Sequence, residues 1–124
     1  MSYKKPEIWQ LAKEIVTEIH EMSLRPSKFE MFEEGSQIRR SSKGTKSAIV
    51  EGYGRRRYKN DYIKFLIYAM SSNDETRDHL ENLYETKSLT DELVYTSILN
   101  KVNLFGKKIY LFIEGVEKQH QTPY

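Results

Sequence analysis

The sequence predicts an all-α fold, an antiparallel up-and-down four-helix bundle that forms a single domain over residues 1–124. Three of the four predicted helical segments, the first, third and fourth, repeat their apolar residues at alternating spacings of three and four, which is the period of an amphipathic helix. The period-two alternation that is typical of strands is absent. The three prolines, Pro6, Pro26 and Pro123, lie at the chain ends and in the first connection, so none interrupts a helical pattern.

The first helix is predicted from Pro6 to Leu24. Proline suits a first helical turn because its missing N–H would have no acceptor there, and Arg25-Pro26 is expected to end the helix. The apolar stripe of this helix consists of Ile8, Ala12, Ile15, Ile19 and Met22.

The second helix is predicted to start near Ser27, which has the spacing of a capping box with Glu30. It should run to Gly52 or Gly54, with Gly35 as a candidate break. The middle of this helix is unusually rich in small residues, and these are Ser41, Ser42, Gly44, Thr45, Ser47 and Ala48. Small side chains let two helix backbones approach closely, so we expect this helix to pack tightly against a neighbour.

The third helix should begin near Asn60 or Asp61, either of which can cap a helix, and continue to about Lys87. Its stripe is Tyr62, Leu66, Ala69, Asn73, Thr76, Leu80 and Leu83. Two polar side chains, Asn73 and Thr76, therefore occupy positions where apolar residues are expected.

The fourth helix is predicted from about Thr90 to Lys118, with the most regular stripe of the chain: Ile98, Val102, Phe105, Ile109, Phe112 and Val116. Leu104 and Leu111 lie seven residues apart on the opposite side. A helix with two apolar faces in a small protein commonly buries one of them against another subunit. We therefore predict a homo-oligomer with Leu104 and Leu111 in its interface.

The composition excludes several classes of site. Without cysteine the chain can form no disulfide, no thiolate zinc site and no thiol nucleophile. No apolar run follows Met1 to Lys5, so no signal peptide is expected. The longest apolar stretches, residues 65–70 and 109–113, are too short to span a bilayer. The sequence predicts a cytoplasmic protein with no membrane contact.

The charges are distributed unevenly. Residues 39–59 hold eight basic residues and one acid, a local surplus of seven positive charges, whereas the whole chain carries +2 and its remainder is therefore acidic. Arginine and lysine bind phosphate, and interleaved tyrosines can stack on unpaired bases. The predicted nucleic-acid-binding residues are Arg39, Arg40, Lys43, Lys46, Tyr53, Arg55, Arg56, Arg57, Tyr58 and Lys59.

Other interpretations of the same segment remain open. The cations can form an ordinary solvated helix face with arginines in salt bridges, or dock an acidic protein partner. Glu51 is interpreted as a structural partner of Arg55 or Arg40 rather than as a general base. The run from Gly52 to Arg55 lacks the strand and the remaining motif residues of a phosphate-binding loop, so it is interpreted as a turn between two helices.

No catalytic, metal or cofactor site is predicted. Glu75 and His79 can share a helical face, but two ligands do not make a catalytic metal site. Glu117 and His120 match the Glu-x-x-His spacing of di-iron bundles, yet no second copy exists. A helical-bundle metalloenzyme is therefore the least favoured alternative, and we predict a protein that is not an enzyme.

Three groups of residues carry a family resemblance. They are Gln37-Ile38-Arg39-Arg40, then Ile49 through Arg55 with its Glu51-Gly52-x-Gly54-Arg55 turn, and Phe65-Leu66 with Ala69, Ser72 and Glu75. In order and spacing they resemble the bacterial four-helix-bundle family of 23S ribosomal RNA intervening-sequence proteins. Within that resemblance Gln37, Glu51, Gly52, Gly54, Ser72 and Glu75 are structural motif residues.

The resemblance implies a ring-like pentamer of antiparallel bundles with a central channel. It extends to the accessory protein of diversity-generating retroelements, a basic pentamer that binds nucleic acid and a reverse transcriptase. Together with the charge pattern, it predicts a non-catalytic homo-oligomer that binds RNA or DNA. The alternative function is an adaptor that docks an acidic protein without contacting nucleic acid.

Overall fold

The computed structural model describes the backbone of residues 6–24 and 29–119 and the side chains of residues 6–24 and 33–119. This part of the chain contains no strand and four helices, which are α1 (Glu7–Ser23), α2 (Phe29–Gly54), α3 (Lys59–Glu85) and α4 (Glu92–Glu117). Each helix contacts the next one along the chain, and α4 closes against α1. The predicted all-α four-helix bundle is confirmed. None of the described helices is both long enough and apolar enough to cross a membrane.

The beginning of α3 differs from the prediction. The prediction that Asn60 or Asp61 caps this helix is wrong, because α3 already begins at Lys59. Tyr58 is the N-cap and has an extended backbone, but its side chain makes no capping hydrogen bond. Its backbone N–H donates to the Arg55 carbonyl at 2.9 Å, so the preceding turn already directs the chain into the helix.

In the connection between α3 and α4, the left-handed backbone of one residue closes the turn after α3, and a side-chain cap marks the start of α4. Lys87, just after the end of α3, has a φ of 64° and closes the turn in the left-handed region. The carboxylate of Asp91 accepts a hydrogen bond from the Val94 backbone N–H at 3.1 Å. Asp91 thus caps α4, as an aspartate at this position commonly does.

Gly35 does not break the second helix, so that prediction is wrong. The helix α2 is continuous from Phe29 to Gly54. Gly35 is buried, and a Cβ atom at this position would lie 3.2 Å from the Ser23 carbonyl oxygen. The glycine therefore lets α2 pass the end of α1. The capping box predicted at Ser27 and Glu30 lies outside the described side chains.

The core lies between the four helices, on the predicted stripes. Every stripe residue of the first and third helices is buried. Near the end of α4, however, Ile113 is buried instead of Phe112, which is half-buried and contacts the Tyr62 ring edge-on with 6.2 Å between centroids. An α-helix has 3.6 residues per turn, so a strict 3.5-residue repeat drifts off the core over several turns.

A polar seam runs between α2 and α3 inside the bundle, formed by Ser41, Thr45, Asn73 and Thr76. The hydroxyl groups of Ser41 and Thr76 are 2.8 Å apart and share a hydrogen bond. The Asn73 amide donates to the Val102 carbonyl of α4 at 3.0 Å. These bonds satisfy polar groups at stripe positions where apolar residues were expected, because a buried polar group without a partner is costly.

Candidate nucleic-acid interface

The predicted basic residues occupy α2 from Arg39 onward, the turn at residues 55–58 and the first residue of α3. Five of the ten predicted side chains are exposed, namely Arg40, Lys43, Arg55, Arg57 and Tyr58, and the other five are half-buried. A helix rises 1.5 Å per residue, so the segment from Arg40 to Arg55 extends over about 22 Å. The environments of these side chains differ strongly.

Arg39 is tied to the end of the first helix. Its Nη1 atom donates to the Ser23 carbonyl at 3.2 Å and to the Ser23 hydroxyl at 2.9 Å. Ser23 is buried, and these two bonds hold α2 against α1. The guanidinium has neutral partners here and keeps its positive charge, but it is committed to a structural contact.

Arg40 and Lys43 are the most available cations of the cluster. Both are exposed, and neither side chain forms an ion pair with another described residue. Lys43 also borders a groove of about 570 Å³ between α1 and α2, which is lined by Val16 and Val50. Polar and apolar atoms meet in this groove, with the lysine at its rim.

Two lysines lie over the single tryptophan. The Nζ atoms of Lys46 and Lys13 lie 5.4 and 5.6 Å from the centre of the Trp9 ring, from α2 and α1 respectively. Cation–π contacts of this kind hold a cation without neutralising it. Lys13 therefore joins the basic surface, although it lies far from the cluster in sequence and was not predicted.

Arg55 pairs with two carboxylates. Its guanidinium lies 3.4 Å from Glu51 and 3.9 Å from Asp61. The interpretation of Glu51 as a structural partner of Arg55 is confirmed, whereas the alternative partner Arg40 does not contact it. All three side chains are about half exposed, and such surface pairs contribute little to stability.

Arg56 folds back over the preceding tyrosine. Its guanidinium stacks on the Tyr53 ring at 3.9 Å and donates to the Tyr53 carbonyl at 2.9 Å. One face of the Tyr53 ring is thus occupied by a cation of the same turn. Burial raises the pKa of the neighbouring Tyr62 phenol to about 12, and the positive charge of Arg56 offsets part of that rise.

The Lys59 side chain contacts the C-terminal end of α4. Its ammonium donates to the Glu117 carbonyl at 2.7 Å and to the Gln119 carbonyl. Cations are favoured at a helix C-terminus because the last carbonyl groups there carry partial negative charge. Lys59 therefore links the α2–α3 turn to the end of α4.

Gly52 acts through packing rather than through an unusual backbone, whereas a Cβ atom on Gly54 would meet no atom within 4 Å. Gly52 and Gly54 both belong to α2, and no described glycine has a positive φ. A Cβ atom on Gly52 would lie only 3.1 Å from the Phe65 Cβ atom. The turn between helices is present, but Gly52 serves the close approach of α2 to α3. Within the stretch of small residues from which close packing was predicted, the Ser41 hydroxyl lies 2.8 Å from the Thr76 hydroxyl of α3.

The remaining motif residues are spread over the bundle. Ser72 faces Gly44, whose added Cβ would lie 3.6 Å from the Ser72 hydroxyl oxygen, and Gln37 is exposed on α2. Glu75 lies 3.7 Å from His79 Nε2, while Glu34 bonds the Nδ1 atom of the same ring. The two carboxylates meet different nitrogens, and no group of three metal-ligating side chains occurs among the described residues.

The predicted oligomer face is exposed in the single chain. Leu104 and Leu111 are 45% and 63% exposed, and Tyr110 beside them is 56% exposed. Leu111 and Tyr110 border a groove of about 700 Å³ between α3 and α4, together with Met70. The second apolar face of the fourth helix therefore exists in the fold.

Sequence reasoning missed three residues beside the basic cluster. Phe65 and Tyr68 of α3 form an edge-to-face ring pair with centroids 5.4 Å apart, and Lys64 lies about 6 Å from each ring. The signal was present in the sequence, because Phe65 and Tyr68 lie three residues apart and outside the core stripe.

Comparisons with known proteins agree with this architecture. A family model described as 23S rRNA-intervening sequence protein matches residues 4–111. A crystal structure of a protein of unknown function from the S23 ribosomal protein family of Bacteroides thetaiotaomicron has a TM-score of 0.75 and 24% sequence identity, over 86% of this chain and 95% of that chain. At this identity the likeness shows the fold alone. No curated protein matches the chain.

Proposed function

The chain belongs to the family of 23S rRNA-intervening sequence proteins, and from that premise we propose that it is a non-catalytic homo-oligomer, a pentamer, that binds RNA or DNA. The contact surface is the basic face of α2 together with the α2–α3 turn. The observation that carries the proposal is the pair of exposed cations without carboxylate partners among the described residues, Arg40 and Lys43.

The chemistry of this surface favours a polyanion. Among the cations of residues 39–59, Arg40 and Lys43 are exposed and form no ion pair with another described residue, and Arg39 and Lys59 contact neutral groups. A surface of this kind attracts phosphates and releases their counterions on binding. Repetition of a weak site in an oligomer would raise the overall affinity through multivalency.

The test measures affinity for a nucleic-acid probe against salt concentration. The logarithm of the binding constant should fall linearly with the logarithm of salt, and Lys43→Gln should reduce that slope by about one because it removes one phosphate-binding cation from each site. Lys87→Gln is the matched control, because Lys87 is exposed in the α3–α4 connection, outside the basic surface. An affinity that does not change with salt concentration, or an equal change of the salt slope in Lys43→Gln and Lys87→Gln, would refute the proposal.

An acidic protein partner is the second candidate. The groove between α1 and α2 is lined by two lysines, one glutamate and apolar side chains, namely Lys43, Lys46, Glu51, Val16 and Val50. Its surplus of positive charge beside apolar surface suits an amphipathic acidic segment. Nuclease treatment before co-purification separates the two functions, because a partner bridged by nucleic acid is released while a directly docked protein is retained.

A further inference from the structure

An aromatic patch lies on the outer side of α3, next to the basic turn, and consists of Arg55, Lys64, Phe65 and Tyr68. The Phe65 and Tyr68 rings are nearly perpendicular, at 87°, with their centroids 5.4 Å apart. The Arg55 guanidinium lies 4.9 Å from the centre of the Phe65 ring. The Lys64 ammonium lies 6.0 Å from the Phe65 ring and 5.9 Å from the Tyr68 ring. The Phe65 ring thus has two cations beside it and the Tyr68 ring has one.

Neither ring is needed to fill the core at this level of the helix. The buried residues around them are Tyr62, Leu66 and Ala69, which belong to the core stripe. Phe65 is half-buried, and Tyr68 is 48% exposed. An exposed aromatic ring flanked by cations is a typical surface for stacking, because every nucleobase offers a flat π-face.

The charges around the rings favour stacking over phosphate binding alone. Arg55 is partly compensated by Glu51 and Asp61, at 3.4 and 3.9 Å. Lys64 is exposed and forms no ion pair with another described residue. The patch therefore offers one free and one paired cation beside two rings. Duplexes are bound mainly through their phosphates, which need several free cations. A patch with two rings and one unpaired cation is better suited to stacking on exposed bases.

We propose that the aromatic patch binds unpaired bases, so that the ligand of this protein is single-stranded rather than duplex nucleic acid. This inference rests on the proposed nucleic-acid-binding function. A base stacks on Tyr68, and the adjoining phosphates contact Lys64 and Arg55. Because Arg55 belongs to both surfaces, a strand that leaves the patch continues onto the basic turn. Bases inside a duplex are stacked on one another and cannot reach a ring on a helix surface.

The experiment uses oligonucleotides that carry 2-aminopurine, whose fluorescence is quenched when the base stacks on a ring. The probes are a single-stranded DNA, an RNA of the same sequence, and the corresponding DNA duplex. Tyr68→Ala should abolish the quenching and weaken single-strand binding by roughly 5- to 150-fold, the effect of losing one stacked base. Tyr68→Phe should bind like the native protein, since the ring is retained. The two single-stranded probes show whether RNA or DNA is preferred.

Leu93→Ala is the control for removal of an exposed side chain, because Leu93 is 83% exposed at the start of α4 and lies outside the patch. Duplex affinity should be the same for the native protein and for Tyr68→Ala. Equal losses on single strand and duplex, or a Tyr68→Phe variant as weak as Tyr68→Ala, would overturn the inference while nucleic-acid binding itself stands. A native protein that binds none of the probes would overturn both proposals. A change of oligomer mass in Tyr68→Ala would instead make the patch a contact between copies of the chain and overturn the inference.

Discussion

Gly52 offers a test of the close approach between α2 and α3. In Gly52→Ala the added Cβ atom would lie 3.1 Å from the Phe65 Cβ atom and 3.4 Å from the Tyr62 Cδ1 atom. The Phe65 Cβ atom is bonded directly to the backbone of α3, so it can move only if the helix moves. The substitution therefore forces α2 and α3 apart rather than rotating a flexible side chain.

Two opposing contributions set the size of the effect. Alanine is a better helix former than glycine by about 0.5–1 kcal/mol. For Gly52→Ala we expect a stabilisation in the lower part of that range, because Gly52 lies near the end of α2. Overpacking of a well-packed contact costs about 1–3 kcal/mol. We expect Gly52→Ala to lower the free energy of unfolding by about 1 kcal/mol.

Gly44→Ala provides a matched control in the same helix. Its added Cβ atom would meet only the Ser72 hydroxyl oxygen, at 3.6 Å, which is an ordinary contact. The helix propensity then dominates, and we expect the free energy of unfolding to rise by about 0.5–1 kcal/mol. The two glycine-to-alanine substitutions should therefore have opposite signs.

The assay is urea unfolding followed by circular dichroism, with all proteins at one concentration because oligomerisation contributes to apparent stability. The slopes against urea should agree among the variants, so that shifts of the midpoint report stability. If both variants were stabilised equally, the contact between Gly52 and Phe65 would not be tight, and the account of the turn glycines would be wrong.

Two further predictions concern the oligomer face and the buried phenol. Leu111→Glu should reduce the oligomer mass in light scattering because it places a charge in the proposed interface, whereas Leu93→Glu should not; equal masses for both variants would count against that interface. Burial raises the pKa of Tyr62 from 10.0 to about 12, so the native protein should lose stability relative to Tyr62→Phe as the pH rises from 10 to 12, where only the unfolded phenol ionises. A difference in unfolding free energy between the native protein and Tyr62→Phe that stays constant from about pH 10 to 12 would contradict the burial effect.

The helices could be predicted from the sequence because their signals are local. The spacing of Ile8, Ala12 and Ile15 marks a buried face whatever the neighbouring helix is. The cap that Asp91 provides to α4 is also a local signal, since a cap acts within one turn. Predictions failed where a distant residue decided the outcome. Gly35 is a glycine because Ser23 lies against it, and nothing near Gly35 in the sequence indicates that contact.

In the candidate site, too, the local charge could be predicted, whereas the contacts with distant residues could not. Charge counting identified the basic segment, but it could not separate Arg39, which bonds Ser23, from Arg40, which is exposed. Nor could it show that Lys59 binds the end of α4.

The amino-acid sequence by itself determined the four amphipathic helices, their order and the excess of positive charge in residues 39–59, since each depends on neighbours within a few turns. Only the tertiary structure decided which cations stay exposed and that Lys64, Phe65 and Tyr68 form one patch with Arg55. A side chain's hydrogen bonds, exposure and ring contacts are set by groups that folding brings together from distant parts of the chain. The spacing of residues along one helix does not contain that information.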